Sequence, residues 1–290
     1  MNLEKFAQRA QKLGVLGITV TQNGKEIAKQ LWDDECRRNV YSVSKSVTSC
    51  AVGMAVAEGR MSLDEKLTEA FAEDLPENVS EHLAKATVRD LLTMCLGQKD
   101  AHLMGGQRPF YQEKDWVKMS LAIPFEYEPN TRFVYNNVGP YLAGVLVQRR
   151  VGCNLVEYLM PRLFEPLGIW KPTWETDPQG YTFGAGGLML NLPELHRFGL
   201  LYLQNGNWNG QQLLDKNWVL ESTRKQVENG EYGYGYLFWG GPEGTFRADG
   251  KYCQLSIISR EKNAVITIVA ECRDGKALQD AIFEEVFPQL

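Results

Sequence analysis

The 290-residue sequence has few of the residues that metal and disulfide sites require. Its only histidines, His82, His102 and His196, are far apart, and no His-Glu-x-x-His pattern occurs. The six cysteines are scattered without paired spacing, which predicts reduced thiols rather than a disulfide framework or a zinc site. No glycine run is followed by the Lys-Ser/Thr of a phosphate loop. We therefore expect no metal site and no cofactor.

The sequence also lacks an excess of positive charge and a long apolar run. Its formal net charge is −5, with acidic and basic residues mixed along the chain. It has no basic stripe for nucleic acid and no polybasic membrane anchor. No stretch reaches the roughly 18 apolar residues of a membrane-spanning helix, and the first residues lack a signal peptide's apolar run. These absences predict a cytoplasmic protein with neither a nucleic-acid nor a membrane partner.

Strand patterns lie at both ends of the chain, and helical patterns lie between them. Near the N-terminus, two apolar segments flank Asn23-Gly24, a pair typical of tight hairpins. After residue 232 the apolar residues recur with a period of two, which predicts strands at 233–239, 245–248, 254–259 and 264–270. We therefore expect an α+β fold, in which both termini build one antiparallel sheet flanked by helices.

This arrangement also predicts how the chain is divided. Residues 1–60 and 180–290 are expected to form the sheet region, and residues 61–179 a mostly helical region inserted into it. A cleft between two such regions is the usual place for a small-molecule site. We therefore expect the functional residues to meet at that boundary.

Ser42 and Lys45 form the first candidate site. They lie three residues apart at the start of a predicted helix, so their side chains are one turn apart on one face. Backbone N–H groups at a helix start favour a developing anion, and a neighbouring amine can accept a serine proton. Ser42 is therefore a candidate nucleophile and Lys45 a candidate base.

Two later segments add groups that suit the same chemistry. Tyr135 and Asn137 precede an apolar helix; a phenol can transfer protons and an amide can hold a substrate carbonyl. Gly250 lies in a predicted hairpin, where a residue without a side chain lets a backbone N–H approach a substrate oxygen. No Gly-x-Ser-x-Gly motif is present, which argues against a Ser-His-Asp triad.

Together, these motifs resemble the serine β-lactamase and penicillin-binding-protein superfamily. The similarity is greatest to the class C β-lactamase-related esterases, D-amino-acid peptidases and amide hydrolases, and it covers nearly the whole chain. It implies a β-lactamase/transpeptidase-like fold, with Ser42 as acyl-forming nucleophile, Lys45 and Tyr135 handling protons, and Asn137 positioning the substrate. It further implies substrate contacts from Ala248, Gly250 and Lys251. The backbone N–H groups of Ser42 and Lys251 would form an oxyanion hole.

The late strand departs from the family pattern. β-Lactamases of this family carry Lys-Thr-Gly there, whereas this chain has Ala248-Asp249-Gly250, so the lysine that grips a β-lactam carboxylate is missing. Either Lys45 or Tyr135 would need a pKa lowered by about 3 from its usual value to act as the base. Burial can lower the pKa of Lys45, whereas Tyr135 needs nearby positive charge, so without the late-strand lysine we favour Lys45.

The prediction is a serine hydrolase that cleaves a small-molecule ester or amide. The alternatives are a penicillin-binding or sensor protein that releases its acyl group slowly or not at all, and a true β-lactamase. The aromatic residues of segment 100–128 (Phe110, Tyr111, Trp116 and Phe125) suggest either an apolar acyl pocket or ordinary core packing. The sequence does not indicate an oligomeric state.

Overall fold

The computed structural model describes residues 1–290 and contains one six-stranded antiparallel sheet with two small strand pairs. The order in the large sheet is β2-β1-β10-β9-β8-β7, so strands from both ends of the chain lie side by side. In chain order the strands are β1 (Val15–Gln22), β2 (Lys25–Leu31), β3 (Arg38–Asn39), β4 (Met189–Leu190), β5 (Asn207–Trp208), β6 (Gln211–Gln212), β7 (Trp239–Gly240), β8 (Phe246–Gly250), β9 (Gln254–Ser259) and β10 (Ala264–Ala270).

Eleven α-helices surround the sheet or fill the middle of the chain. In chain order they are α1 (Glu4–Lys12), α2 (Val43–Ala57), α3 (Leu67–Ala70), α4 (Glu81–Lys85), α5 (Val88–Leu92), α6 (Trp116–Ala122), α7 (Val138–Val151), α8 (Leu155–Leu159), α9 (Leu192–Leu203), α10 (Lys216–Thr223) and α11 (Gly275–Ala281). This α+β architecture, with its antiparallel sheet built from both termini, confirms the predicted fold class. The division into residues 1–60 with 180–290 and residues 61–179 stays a prediction.

The sheet has a hydrophobic core on each face because its central strands are apolar on both sides. Every residue of β9 and β10 is buried. Ile266 and Ile268 of β10 belong to the smaller core, shared with α1 and α11. Val265 belongs to the larger core, shared with α2, α7 and α9. Continuous apolar strands of this kind are expected where a sheet is covered on both faces.

Helix α2 runs through the larger core and brings the predicted site to the sheet. All residues from Val43 to Ala55 are buried, including polar ones. The buried hydroxyls are tied to neighbouring loops: Ser46 Oγ donates to the Leu237 carbonyl at 2.8 Å, and Thr48 Oγ1 to the Gly184 carbonyl at 2.8 Å. Since buried hydroxyls need partners, these bonds fix the loops around the first turns of the helix.

Most of the predicted strands are confirmed, and one is wrong. The Asn23-Gly24 hairpin forms, with both residues at positive φ as a tight turn requires. The predicted strand 233–239 is reduced to its last residue, because Gly233 and Leu237 adopt positive φ (74° and 63°), which breaks an extended chain.

Two glycines of α7 provide a matched stability test. A Cβ at Gly139 would lie 2.4 Å from the Leu91 carbonyl oxygen, whereas one at Gly144 would lie 3.3 Å from the flexible Leu155 side chain. Because backbone cannot move aside cheaply, Gly139→Ala is expected to lower the free energy of unfolding by about 2–3 kcal/mol. Gly144→Ala should change it by less than about 1 kcal/mol, since alanine favours helix. Urea denaturation measures both; equal effects would contradict the packing argument.

None of the helices is both long and apolar enough to cross a membrane.

Candidate active site

Ser42 and Lys45 meet at the start of α2, as their spacing predicts. Ser42 precedes the helix as its N-cap, and Lys45 lies in the first turn. Lys45 Nζ lies 2.9 Å from Ser42 Oγ and donates to the Ala185 carbonyl oxygen at 2.7 Å. The lysine is 1% exposed and has no acidic partner within ion-pair distance. Its amine is therefore fixed beside the serine by neutral oxygen atoms alone.

This environment lowers the pKa of Lys45. Burial is the main cause, and the positive charge of Arg108 adds to it; together they lower the pKa from 10.5 to about 7. A buried ammonium without a carboxylate loses its hydration and gains no compensating charge. A neutral amine is therefore accessible near pH 7, and it can accept a proton from Ser42.

The backbone is strained immediately before Ser42. Tyr41 adopts a positive φ of 48°, which is uncommon for a residue with a large side chain. Its N–H donates to Asn39 Oδ1 at 2.7 Å, and its ring packs edge-on against Tyr252 at 5.4 Å between centroids. Strain held by such contacts is frequent at functional sites.

Tyr135 lies on the other side of the lysine. Lys45 Nζ is 5.0 Å from the centre of the Tyr135 ring, and Trp239 packs on that ring at 5.3 Å. Burial raises the pKa of Tyr135 well above 10; the Ser42 hydroxyl lowers this pKa in part and the nearby Asp249 raises it. The phenol is therefore protonated at neutral pH, which suits a proton carrier better than a base.

Asn137 caps α7 beside these groups. Its Nδ2 donates to the Leu103 carbonyl at 3.0 Å, while its Oδ1 is buried and has no protein partner. Asn137 lines the cavity, so a rotation of its amide would present this oxygen to a substrate N–H.

The end of β8 packs against the chain just before Ser42. A Cβ at Gly250 would lie 2.2 Å from the Val40 carbonyl oxygen, so only glycine fits there. Gly250 thus admits the backbone that leads to Ser42; it also lines the cavity, and its predicted contact with a substrate stays a prediction. Neither the Ser42 nor the Lys251 N–H donates a hydrogen bond to another protein group. Both residues line the same cavity, so these two N–H groups are free to bind an oxyanion there.

Ala248 lies elsewhere. It is 1% exposed, belongs to the larger core and does not line the cavity. Its neighbours Arg247 and Asp249 line the cavity instead, because successive residues of a strand point to opposite faces.

The cavity has a volume of about 750 Å³ and reaches from Ser42 to the start of α11. Besides the predicted residues, it contains two ion pairs: Arg108 with Glu175 (Nη2 to Oε2, 3.1 Å) and Arg247 with Asp249 (Nε to Oδ2, 2.8 Å). These four residues have no sequence motif, since each pair depends on how loops or strands pack.

Segment 100–128 contributes less to the cavity than its aromatic residues suggest. Trp116 and Phe125 are buried in the larger core, and Phe110 is 78% exposed outside the cavity. Only Met104, Gly105, Gly106 and Arg108 of this segment line it. The aromatic residues that line the cavity come from other parts of the chain: Tyr41, Tyr135, Phe183, Trp239 and Tyr252.

Solved structures include some with the same fold. A Bacillus anthracis protein assigned as a 6-aminohexanoate-dimer hydrolase superposes with a TM-score of 0.84 at 19% identity, covering 100% of this chain and 87% of that one. At this identity the similarity establishes the fold.

Curated relatives match shorter stretches. A Dichelobacter nodosus protein assigned to fimbrial assembly, FimD of serogroup H1, is 30% identical over 115 residues, or 38% of this chain and 28% of the relative. Lovastatin esterase of Penicillium rubens is 26% identical over 178 residues, or 53% of this chain and 42% of the esterase. The chain thus spans less than half the length of each of these two relatives.

The match to a protein family extends much further than either of these alignments. The family description that matches is Beta-lactamase, and the match runs from residue 3 to residue 285. It includes the helix that carries Ser42 and Lys45, the segment of Tyr135 and Asn137, and the late strands of the sheet. The chain belongs to the Beta-lactamase family.

Proposed function

We propose that the protein is a serine hydrolase that cleaves an ester or amide through an acyl-enzyme on Ser42. The observation that carries this proposal is the buried amine beside the serine: Lys45 Nζ lies 2.9 Å from Ser42 Oγ, and burial lowers the pKa of Lys45 to about 7. A serine hydroxyl is a weak nucleophile unless a base takes its proton as it attacks.

The residues divide the acylation step among them. Lys45 accepts the Ser42 proton while Oγ attacks the substrate carbonyl, whose oxygen binds the free N–H groups of Ser42 and Lys251. Tyr135, protonated and adjacent to Ser42, donates a proton to the leaving group and regains one from Lys45. Asn137 accepts a hydrogen bond from the substrate through Oδ1.

The late strand supports a substrate other than a β-lactam. The side chain at the usual lysine position, Ala248, is buried and uncharged. The side chains that face the cavity next to it are Arg247 and Asp249, which form an ion pair with each other (Nε to Oδ2, 2.8 Å). The positive charge of Arg247 is therefore already opposed by Asp249, and a β-lactam carboxylate would not meet the unpaired lysine of the family pattern.

The proposal is tested by covalent labelling. Intact mass is measured after incubation with a fluorophosphonate, and separately with a penicillin. We expect a stable fluorophosphonate adduct on Ser42, turnover of an ester dye, and little penicillin adduct. A penicillin adduct that persists, without ester turnover, would instead indicate a binding protein, and rapid penicillin hydrolysis a β-lactamase. No adduct with either reagent would refute the proposal.

Tyr135→Phe tests the proton carrier. Removing the hydroxyl leaves a poor leaving group without a proton donor, so kcat on an amide is expected to fall by about 10²–10⁴-fold. An activated ester depends less on this proton donor because its alcohol leaves readily, so kcat on the ester should fall by a smaller factor. The ratio of the two losses is the measurement; an unchanged kcat on the amide would rule out this role.

A further inference from the structure

Two cysteines that the proposed mechanism does not use lie together in the cavity wall. Cys253 lies in the turn between β8 and β9, and Cys272 follows the end of β10; both line the cavity, and they are 7% and 3% exposed. The sequence separates them by nineteen positions and offers no paired spacing, so only the fold brings them together.

Both sulfur atoms lie near the peptide group that joins Asp274 to Gly275. Cys272 Sγ lies 3.2 Å from the Asp274 carbonyl oxygen, and Cys253 Sγ lies 3.5 Å from the place a Cβ would take on the next residue, Gly275. The Cys272 N–H also donates to the Tyr252 carbonyl at 3.2 Å, which ties the two backbones together directly before Cys253. Backbones this close suit the geometry of a disulfide.

We propose that Cys253 and Cys272 are a dithiol modification site, which a hydroperoxide entering the cavity oxidises to a disulfide that slows the enzyme. One thiol attacks the peroxide O–O bond, becoming a sulfenic acid and releasing an alcohol or water. The second thiol then displaces water from the sulfenic sulfur. Two electrons and two protons pass from the thiols to the hydroperoxide, which supplies the oxygen of both products.

Oxidation would affect the candidate active site through the turn between β8 and β9, which carries Cys253. A disulfide bond of about 2.05 Å is shorter than any contact between two thiols, so closing it fixes both side chains and draws the turn that carries Cys253 toward the end of β10. Cys253 and Tyr252 both adopt positive φ (66° and 61°), a strained pair directly after Lys251. The Tyr252 ring packs on Tyr41, which precedes Ser42. A shift of Cys253 therefore reaches both N–H groups of the proposed oxyanion hole.

The reaction is expected to be slow at neutral pH. Burial and the neighbouring Cys272 raise the pKa of Cys253 to about 12, and the thiolate is the form that attacks a peroxide. The reduced pair therefore survives brief exposure to oxidant, and the rate of closure rises with pH.

The test treats the protein with hydrogen peroxide at pH 8 and counts alkylatable thiols after denaturation. The exposed Cys36 is first replaced by serine (Cys36→Ser), so that its thiol does not contribute to the count. We expect two thiols to be lost, one cross-linked peptide joining residues 253 and 272, and recovery of both thiols with dithiothreitol. Loss of no thiols, or a cross-link elsewhere, overturns the proposal.

The effect on activity rests on the proposed function and is measured separately, as the rate of fluorophosphonate labelling. Removing one oxyanion donor costs about 10²–10³-fold, so displacing one is expected to slow labelling at least about tenfold, reversibly. In Cys253→Ser and in Cys272→Ser, peroxide should leave each variant's own labelling rate unchanged. A disulfide with unaltered labelling overturns the coupling. Absence of labelling in the reduced protein would count against the hydrolase instead, and the thiol count would still report on the dithiol.

Discussion

Replacing Ser42 with alanine is expected to lower kcat/KM for an ester by about 10⁴–10⁶-fold, as loss of the nucleophile does in other serine enzymes. The substitution removes only the oxygen that lies 2.9 Å from Lys45 Nζ. It leaves the backbone N–H groups in place, so the fold and substrate binding should persist. The fluorophosphonate adduct should disappear entirely.

The matched control is Ser49→Ala in the same helix. The Ser49 hydroxyl is buried and has no hydrogen-bond partner, so its loss removes no interaction. We expect activity within about twofold of the original and no loss of stability, because a buried unpaired hydroxyl is unfavourable. If Ser42→Ala retains the adduct, another residue is the nucleophile and the proposed mechanism fails.

The second large effect is expected at Lys45. Lys45→Arg keeps a positive charge but cannot give up its proton, so the base is lost and kcat/KM should fall by several orders of magnitude, about 10⁴-fold. In the unaltered protein, kcat/KM should rise with pH through about 7, since Lys45 becomes a competent base as it loses its proton. A pH-independent rate between 5.5 and 8.5 would contradict this role.

Arg108 provides the control for the position of this pH profile. Its guanidinium lowers the pKa of Lys45, and it is held by Glu175 and by stacking 4.1 Å from the centre of the Phe183 ring. Arg108→Gln should therefore raise the pKa of Lys45 and move the rising limb to higher pH. A rising limb that moves to lower pH would contradict the inference that Arg108 lowers the pKa of Lys45.

Burial of Lys45 also lowers the free energy of unfolding, by an amount that depends on pH. Its pKa is lowered from 10.5 to about 7 in the folded protein, so between these values the unfolded chain binds the extra proton. Stability therefore rises with pH across this window, and the cost at pH 7 and below is about 5 kcal/mol. The inactive variant Lys45→Met is therefore expected to have a higher free energy of unfolding than the unaltered protein at pH 7, and the difference should be smaller at pH 10.

The sequence predicts the Ser42–Lys45 pair better than the rest of the site. Ser42 and Lys45 are neighbours because helix geometry alone places positions three apart on one face. Arg108 and Glu175 could not be found in this way, since they meet only through two irregular loops. The sequence also predicts a longer strand around Trp239, which the positive φ of Leu237 prevents.

The late strand contained a signal that the family motif obscures. Phe246 and Ala248 are apolar and alternate with the polar Arg247 and Asp249. Period-two alternation places the apolar pair in the core and the polar pair toward the cavity, as the structure has them. Alignment on the Lys-Thr-Gly position instead assigns the substrate contact to Ala248. The roles of all the candidate site residues stay predictions until the variants are measured.

The pairing of β1 with β10 has a consequence for how the chain folds during synthesis. Val15 lies opposite Ala270, so the centre of the sheet joins segments roughly 250 residues apart. At about 5–20 residues per second, β1 leaves the ribosome roughly 12–50 s before its partner. The β1–β2 hairpin alone is too small to be stable in water, so its apolar face stays exposed to solvent until β10 is synthesised. A nascent chain halted before residue 264 should therefore be sensitive to protease and dependent on chaperones, however long it is given to fold.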